Sequence, residues 1–274
     1  NGISTSLPED IQYQYVRSIS GLEGVEILQP GYAIEYDFLN PQGLSSDLES
    51  GLLSGLFLAG QINGTTGYEE AASQGLVAAI GVAKRLLGAA PIQFDRSTSY
   101  IGVMIDDLTS RGATEPYRMF TSRAEFRLKL RADNADQRLT DQGHTSGCVS
   151  SERFAQYTEK IEKLTACRHS LSDMAVSPNQ ARVAGIDLGL DGRRRNGHEL
   201  LAIPGVSIQH LKALEPSLID CDAEALKQAG REALYVTYIE RQGRDIEALA
   251  RDLSIQIPIV FEYAGISGLS SEMI

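Results

Sequence analysis

Gly55-Leu56-Phe57-Leu58-Ala59-Gly60-Gln61-Ile62-Asn63-Gly64-Thr65-Thr66-Gly67-Tyr68-Glu69-Glu70 is the stretch on which the fold of the first half turns. Its opening run, Gly55 to Gly60, is apolar and bounded by glycines, the form of a short buried strand. A polar, glycine-rich turn follows from Gln61 to Gly67, and a helix is expected from about Tyr68 to Leu87. That helix opens on Glu69 and Glu70 and closes on Lys84, Arg85 and Gly88, the charge order and cap that a helix dipole favours. Its small residues (Ala71, Ala72, Gly75, Ala78, Ala79, Gly81) suit close packing on a sheet. Glycines let a ligand approach the backbone, and a helix N-terminus offers N–H groups to an anion. The stretch is neither a P-loop nor GxGxxG, so a plain strand-to-helix turn and a phosphate cradle both remain open.

On the N-terminal side, Ile11, Tyr15 and Ile19 give residues 9–20 a short helical pattern that ends before Gly21. Val25–Gln29 and Gly31–Phe38 read as extended segments joined by a Pro30-Gly31 turn. On the C-terminal side, Ile101–Ile105 reads as a second buried strand. Glu125–Arg131 alternates, with Phe126, Leu128 and Leu130 to one side and Arg127, Lys129 and Arg131 to the other. A strand is expected there; a helix begun at Thr121 or Ser122 is the competing reading.

From Ser150 the texture becomes helical. Phe154, Tyr157, Ile161, Leu164 and Leu171 share a helix face, with Glu159 and Lys163 as an i,i+4 pair outside it. This face reads as bundle core rather than a partner groove. Asn196-Gly197-His198-Glu199 has the form of a capping box. Ser207–Leu214 makes another short helix, and Asp222 can cap a long one carrying Leu226, Leu234, Tyr238, Ile246, Leu249 and Leu253, bent or split near Gly230 or Gly243. The pattern is α/β followed by all-α, with a boundary near 145–150.

The chain has 274 residues, 42% of them hydrophobic and 22% charged, an ordinary globular mix with ample length for a core. No apolar run approaches a membrane span. Cys148, Cys167 and Cys221 contain no CxxC pair and the four histidines are scattered, so neither a zinc site nor a disulfide framework is supported, and a reduced cytosolic compartment is expected. Arginines outnumber lysines 19 to 6, a bias that genome composition produces as readily as phosphate recognition. The net charge of −11 argues against nucleic acid if it is evenly spread. It is not: Arg111 to Arg138 holds seven basic residues against four acidic, a surplus of +3 that leaves −14 for the rest. Arg193-Arg194-Arg195 is a second basic run, in a loop where solubility is its expected role.

Asn1-Gly2 begins mid-pattern without an initiator Met, and Ser267 to Ile274 stops where a helix is expected to begin, so the chain reads as a fragment of a longer protein. The run from Leu56 to Ala72 resembles the signature of the MnmG (GidA) family, FAD-dependent tRNA uridine 5-carboxymethylaminomethyl modification enzymes. Pro30–Asp37, Glu115–Glu125, Asp133–Asp136, Tyr238–Gln242 and Ile266–Ser270 are similar to further family blocks.

The resemblance implies a fold of α+β or α/β type: the C-terminal remnant of a Rossmann-like FAD domain with added strands, followed by an all-α domain. Residues 1–50 would end an inserted strand-rich region, 51–146 would close the FAD-binding domain and carry a basic tRNA-facing segment, and 147–274 would form the helical domain. It makes Gln61 the leading flavin contact, with Gly60, Asn63, Gly64 and Gly67 shaping the loop. The basic segment becomes the tRNA surface, with Arg118, Arg123, Arg127 and Arg131 as contacts; phosphates would meet the guanidiniums, and splayed bases would stack on aromatic or guanidinium faces. Solvated Arg–carboxylate pairs such as Arg118 with Glu115 are the alternative reading. FAD as cofactor, NADH as reductant, an MnmE-type GTPase as partner, a homodimer, a cytoplasmic location, and no membrane or DNA partner also follow from the family. The family's GxGxxG unit and redox cysteines have no counterpart in this sequence, so no catalytic or metal-binding residue is assigned, and the stretch alone is expected to be inactive and to bind FAD weakly. Two other classes stay open: a non-catalytic adaptor for tRNA or protein, and a flavin oxidoreductase acting on a small molecule.

Overall fold

Several of the helices begin where the sequence supplies a cap. The computed structural model describes residues 5–88, 92, 94–189, 191–256 and 268. Among them run α1 (Glu9–Arg17), α2 (Tyr68–Leu86), α3 (Tyr100–Asp106), α4 (Ala135–Thr145), α5 (Ser151–Asp173), α6 (Pro178–Val183), α7 (Gly197–Leu201), α8 (Ile208–Leu214) and α9 (Ala223–Leu253). Ser150 caps α5, Asn196 and Glu199 close the expected capping box on α7, and the Asp222 side chain accepts from Ala225 N at the start of α9. α9 continues through Gly230 and Gly243 for 31 residues without the split that the glycines suggested.

Among the described residues, pairing between strands is confined to isolated bridges: Leu44 with Ser50, Glu49 with Phe57, Thr65 with Tyr117, and Val176 with Arg195. The strand-bearing Rossmann-like remnant therefore does not emerge from the described residues. Gly55–Gly60 contributes only the Phe57 bridge, and Leu56 is exposed. Gly31–Phe38 forms no ladder. Apolar alternation selects a face, but a strand also needs a neighbouring edge for its N–H and C=O groups, and none is supplied here.

Two further expectations are corrected. Ile101–Ile105 is the body of α3: Ser99 Oγ accepts from Gly102 N at 2.9 Å, and Gly102 to Ile105 are all buried. A short apolar run bounded by polar residues reads identically as strand or helix, and the serine cap decides it. Glu125–Arg131 is a series of turns rather than a strand, with Lys129 N and Leu130 N both returning to Phe126 O. Phe126 and Leu130 are buried as expected, and Ala124 joins them. The competing helix survives only as the 3-10 turn Thr121–Arg123.

The chain divides into two compact units. One comprises the described residues up to Val82 together with Leu108–Arg118; the other comprises Ala83–Asp107 and the described residues from Met119 onward. In the first, the buried Gln12 ties α1 to the turn before the aromatic segment: Gly31 N donates to its Oε1 at 2.8 Å, and its Nε2 donates to Gly31 O at 2.9 Å. Leu48, Val77, Ile80, Leu108 and Tyr117 are buried there.

In the second unit, α5, α7, α8 and α9 enclose a core of Leu164, Leu171, Leu200, Leu211, Leu218 and Leu226. Cys167 joins it, while Phe154, Tyr157 and Ile161 of the expected bundle face stay outside this core, Phe154 stacking on His144 with ring centroids 4.0 Å apart. Burial pushes the Cys167 thiol up to about 11, which suits a packing role rather than a reactive one. The Glu159–Lys163 pair forms at 2.6 Å. The side chains of Leu249 and Leu253 and, apart from Gly268, the expected helix start after Ser267 lie outside the described residues. No described helix is long and apolar enough to cross a membrane.

Candidate functional site

The glycine-rich loop is built around a residue that the sequence did not single out. Gln74, on the inward face of α2, is fully buried and spends both ends of its amide on the loop. Its Oε1 accepts from Gly60 N at 3.1 Å and from Asn63 Nδ2 at 2.8 Å. Its Nε2 donates to Thr65 Oγ1 at 2.9 Å and to Glu70 O at 3.2 Å. Thr65 Oγ1 donates in turn to Gly60 O, and Asn63 Nδ2 also donates to Leu58 O. One glutamine, one helical turn beyond Glu70, thus closes a loop whose ends are five residues apart. The periodicity of α2 marks position 74 as inward; nothing local marks the polar residue there as a hub.

Gly64 and Gly67 hold left-handed backbone angles, φ 80° and 144°. A Cβ on Gly64 would lie 2.9 Å from Ala113 Cβ and 3.3 Å from the Phe38 ring; one on Gly67 would lie 2.1 Å from Glu70 Oε2. The loop is therefore shaped to let two neighbours approach: the Phe38–Ala113 pair on one side and the Glu70 carboxylate on the other. Thr66 N donates to Tyr117 O and Tyr117 N to Gly64 O, both at 2.9 Å, so the segment ending in Arg118 is tied directly to the loop.

A cavity of about 330 Å³ opens against this arrangement. Gln61, Gly64 and Thr66 line one side, Ile34, Tyr36 and Phe38 another, and residues 113–116 a third. Gly60, Asn63 and Gly67 do not line it; Asn63 is fully buried and its Oδ1 has no hydrogen-bond partner. Of the expected loop residues, Gln61 and Gly64 face the cavity, while the other three set the loop's shape.

The four expected arginines meet different fates. Arg118 Nε lies 3.6 Å from Glu70 Oε1; Arg118 is half exposed and Glu70 buried, so its partner is Glu70 rather than the neighbouring Glu115. Arg127 is exposed. Arg123 is half-buried, and its carbonyl accepts from Arg96. Arg131 is held on all sides: it clasps Asp133 with two bonds of 2.9 and 3.1 Å, donates to Leu128 O, and lies 4.6 Å from the Tyr235 ring centre. Burial raises the Asp133 carboxyl, but hydrogen bonds from Arg131 and Gln228 outweigh it and hold the group below its ordinary range. Arg138, whose tRNA role the sequence left open, donates to Asn134, Arg131 O and Thr98 O.

Arg96 is the second residue that sequence reasoning missed. Its guanidinium meets Glu125 at 2.8 Å, Asp107 at 2.7 Å and Asp106 at 2.9 Å, with only 15% of the side chain exposed. Hydrogen bonding to Glu125 is the largest influence on it and raises its pKa, so the guanidinium stays charged. Its partners lie up to 29 residues away, which no motif would have linked. In the Arg193–Arg195 run, Arg193 pairs with Glu199 and Arg195 with Asp191.

Comparison with known proteins agrees with this division into a loop-bearing part and a helical part. Residues 1–90 match the family described as "Glucose inhibited division protein A", and residues 151–243 match "tRNA modifying enzyme MnmG/GidA C-terminal helical domain". The chain is 48% identical, over its whole length, to the tRNA uridine 5-carboxymethylaminomethyl modification enzyme MnmG of Syntrophotalea carbinolica, and 46% identical to that of Zymomonas mobilis. It spans 44% of the length of each of these relatives. The solved structure of Aquifex aeolicus GidA in its form II crystal superposes with a TM-score of 0.78 at 39% identity, covering 98% of this chain and 43% of that one.

Proposed function

Because this chain belongs to the MnmG/GidA family, we propose that it forms part of a flavoenzyme that, with a partner GTPase, adds a (carboxymethyl)aminomethyl group to C5 of the wobble uridine of tRNA. The observation that carries this reading is the joining of the Gln61 loop to Arg118 through the Thr66–Tyr117 pairing, within one compact unit. A ligand-facing amide and a half-exposed guanidinium are thereby held on one scaffold, where a redox cofactor and an RNA phosphate must both be met.

The residues present fit one part of a flavin. Gln61 faces the cavity and offers an amide to the edge of a planar ring, and Gly64 lets Phe38 and Ala113 close on the loop beside it. A cavity of about 330 Å³ is at the low end for ligand pockets, with room for a ring system rather than a whole dinucleotide. When bound, the flavin supplies the redox chemistry, with NADH as its reductant. Gln61 would hold and orient it, Gly60, Asn63, Gly64 and Gly67 would keep the loop in shape, and Arg118 and Arg127 would take tRNA phosphates. Arg131 and Arg123 would stiffen the surface that presents them. The helical domain would face the GTPase, and the enzyme would work as a cytoplasmic homodimer.

The test uses the full-length protein in a gel shift with a wobble-uridine tRNA. Arg118→Ala and Arg127→Ala are expected to weaken binding about tenfold each, the scale of a lost charge-assisted phosphate contact. Wild-type affinity in both variants would sink the tRNA surface. The 274-residue chain alone is expected to show no stoichiometric flavin absorption after purification with excess FAD.

A further inference from the structure

The cavity has a wall that the flavin reading does not use. Ile34, Tyr36 and Phe38 alternate along an extended segment, and all three are more than half exposed, Tyr36 at 58% and Phe38 at 51%. Phe38 is not there by accident of a loose loop: its ring closes on Gly64, where a Cβ would come within 3.3 Å of it. The polar rim is equally specific. Thr66 and Thr114 can each donate a hydrogen bond, and Glu115 supplies a carboxylate acceptor.

Resting on the tRNA reading above, we propose that Tyr36 and Phe38 form the shelf on which the target pyrimidine base stacks when it leaves the anticodon stack. Chemistry on a base requires that base to be extruded, and extruded bases settle on aromatic faces. A uracil edge presents two carbonyl acceptors flanking one N–H donor. Two donors and one acceptor on the rim answer that edge, whereas a cytosine edge would set its amino donor against one of the donors. The half-exposed Arg118, the residue after Tyr117, lies on the same loop-bound segment to take the neighbouring phosphate.

The experiment measures tRNA affinity and flavin content of the full-length protein, using one tRNA with uridine and the same tRNA with an abasic site at the wobble position. Tyr36 is the position to change, because truncating Phe38 would also loosen the loop at Gly64. The wild type is expected to prefer the uridine tRNA by roughly 5- to 30-fold, the effect of one aromatic–base stack. Tyr36→Ala is expected to bind both tRNAs alike with its flavin content unchanged, and Tyr36→Phe to behave as wild type. A Tyr36→Ala protein that loses flavin but still prefers uridine would assign the shelf to the cofactor and overturn the inference. So would a variant that keeps both flavin and the preference. A wild type that binds no tRNA at all would instead sink the broader reading.

Discussion

The Arg118 guanidinium lies 3.6 Å from the Glu70 carboxylate, which places an outward-facing cation on an anchor buried in the first turns of α2. Arg118 is thus positioned by the helix that follows the glycine loop. Glu70→Gln keeps the shape and removes the charge. It is expected to cost at most about 1 kcal/mol of stability, as partly exposed pairs do, and the double variant with Arg118→Ala should show coupling of that size. Additive effects in a denaturation cycle would mean the two side chains do not act together.

Gln74 should be the most sensitive residue of the loop. Gln74→Leu fills the same space but strands Gly60 N and takes one bond each from Asn63 Nδ2 and Thr65 Oγ1, which keep Leu58 O and Gly60 O, and is expected to cost about 2–4 kcal/mol. Gln74→Glu keeps the acceptor side but buries a carboxylate whose second oxygen faces Glu70 O, and should lose at least as much at neutral pH. Urea denaturation monitored by tyrosine fluorescence checks the order of the two.

At Gly67 an added methyl group meets both a left-handed backbone and Glu70 Oε2. Gly67→Ala is expected to destabilise by about 2 kcal/mol or more and to displace Arg118 along with Glu70, lowering tRNA affinity as well. Gly24→Ala is the control, because a Cβ there meets nothing within 4 Å. Equal melting temperatures for the two variants would contradict the geometry.

Arg127 and Arg131 should separate binding from folding. Arg131→Ala removes the clasp on Asp133 and the contact with Tyr235, and a loss of about 2–3 kcal/mol is expected. Arg127→Ala, at an exposed position, is expected to stay within about 0.5 kcal/mol of wild type while weakening tRNA binding.

The same clasp predicts a pH dependence. The Asp133 carboxyl is held below its ordinary value of 3.8, so folding favours its charged form. Its stabilisation is complete above that value and disappears as pH falls through the lower, native one. The difference in melting temperature between wild type and Asp133→Asn should therefore be largest near neutrality and shrink below about pH 4. A difference that stays constant down to about pH 3 would show that Asp133 is not the titrating group.

The sequence by itself determined several of the helix starts. Ser150, Asn196–Glu199 and Asp222 mark starts through hydrogen bonds made within three residues, and the acidic-to-basic order of α2 is equally local, so these signals survive without any knowledge of the fold. The glycine-rich stretch fitted a plain strand-to-helix turn and a phosphate cradle equally, and its resemblance to the MnmG (GidA) signature is what singled it out. Tertiary structure alone decided the rest. Whether Glu125–Arg131 alternated across a sheet or turned depended on neighbours that the local pattern does not name. Gln74 became the hub of the loop by reaching 9, 11 and 14 residues back along the chain, and Arg96 by reaching 29 forward. Arg131 and Arg127 look alike in the sequence; one is clasped by Asp133 and Tyr235 and the other is exposed. Caps and periodicity are written in the energies of adjacent residues, whereas a buried polar group or a paired charge is defined by whichever distant atom satisfies it. Only the folded chain brings that atom within reach.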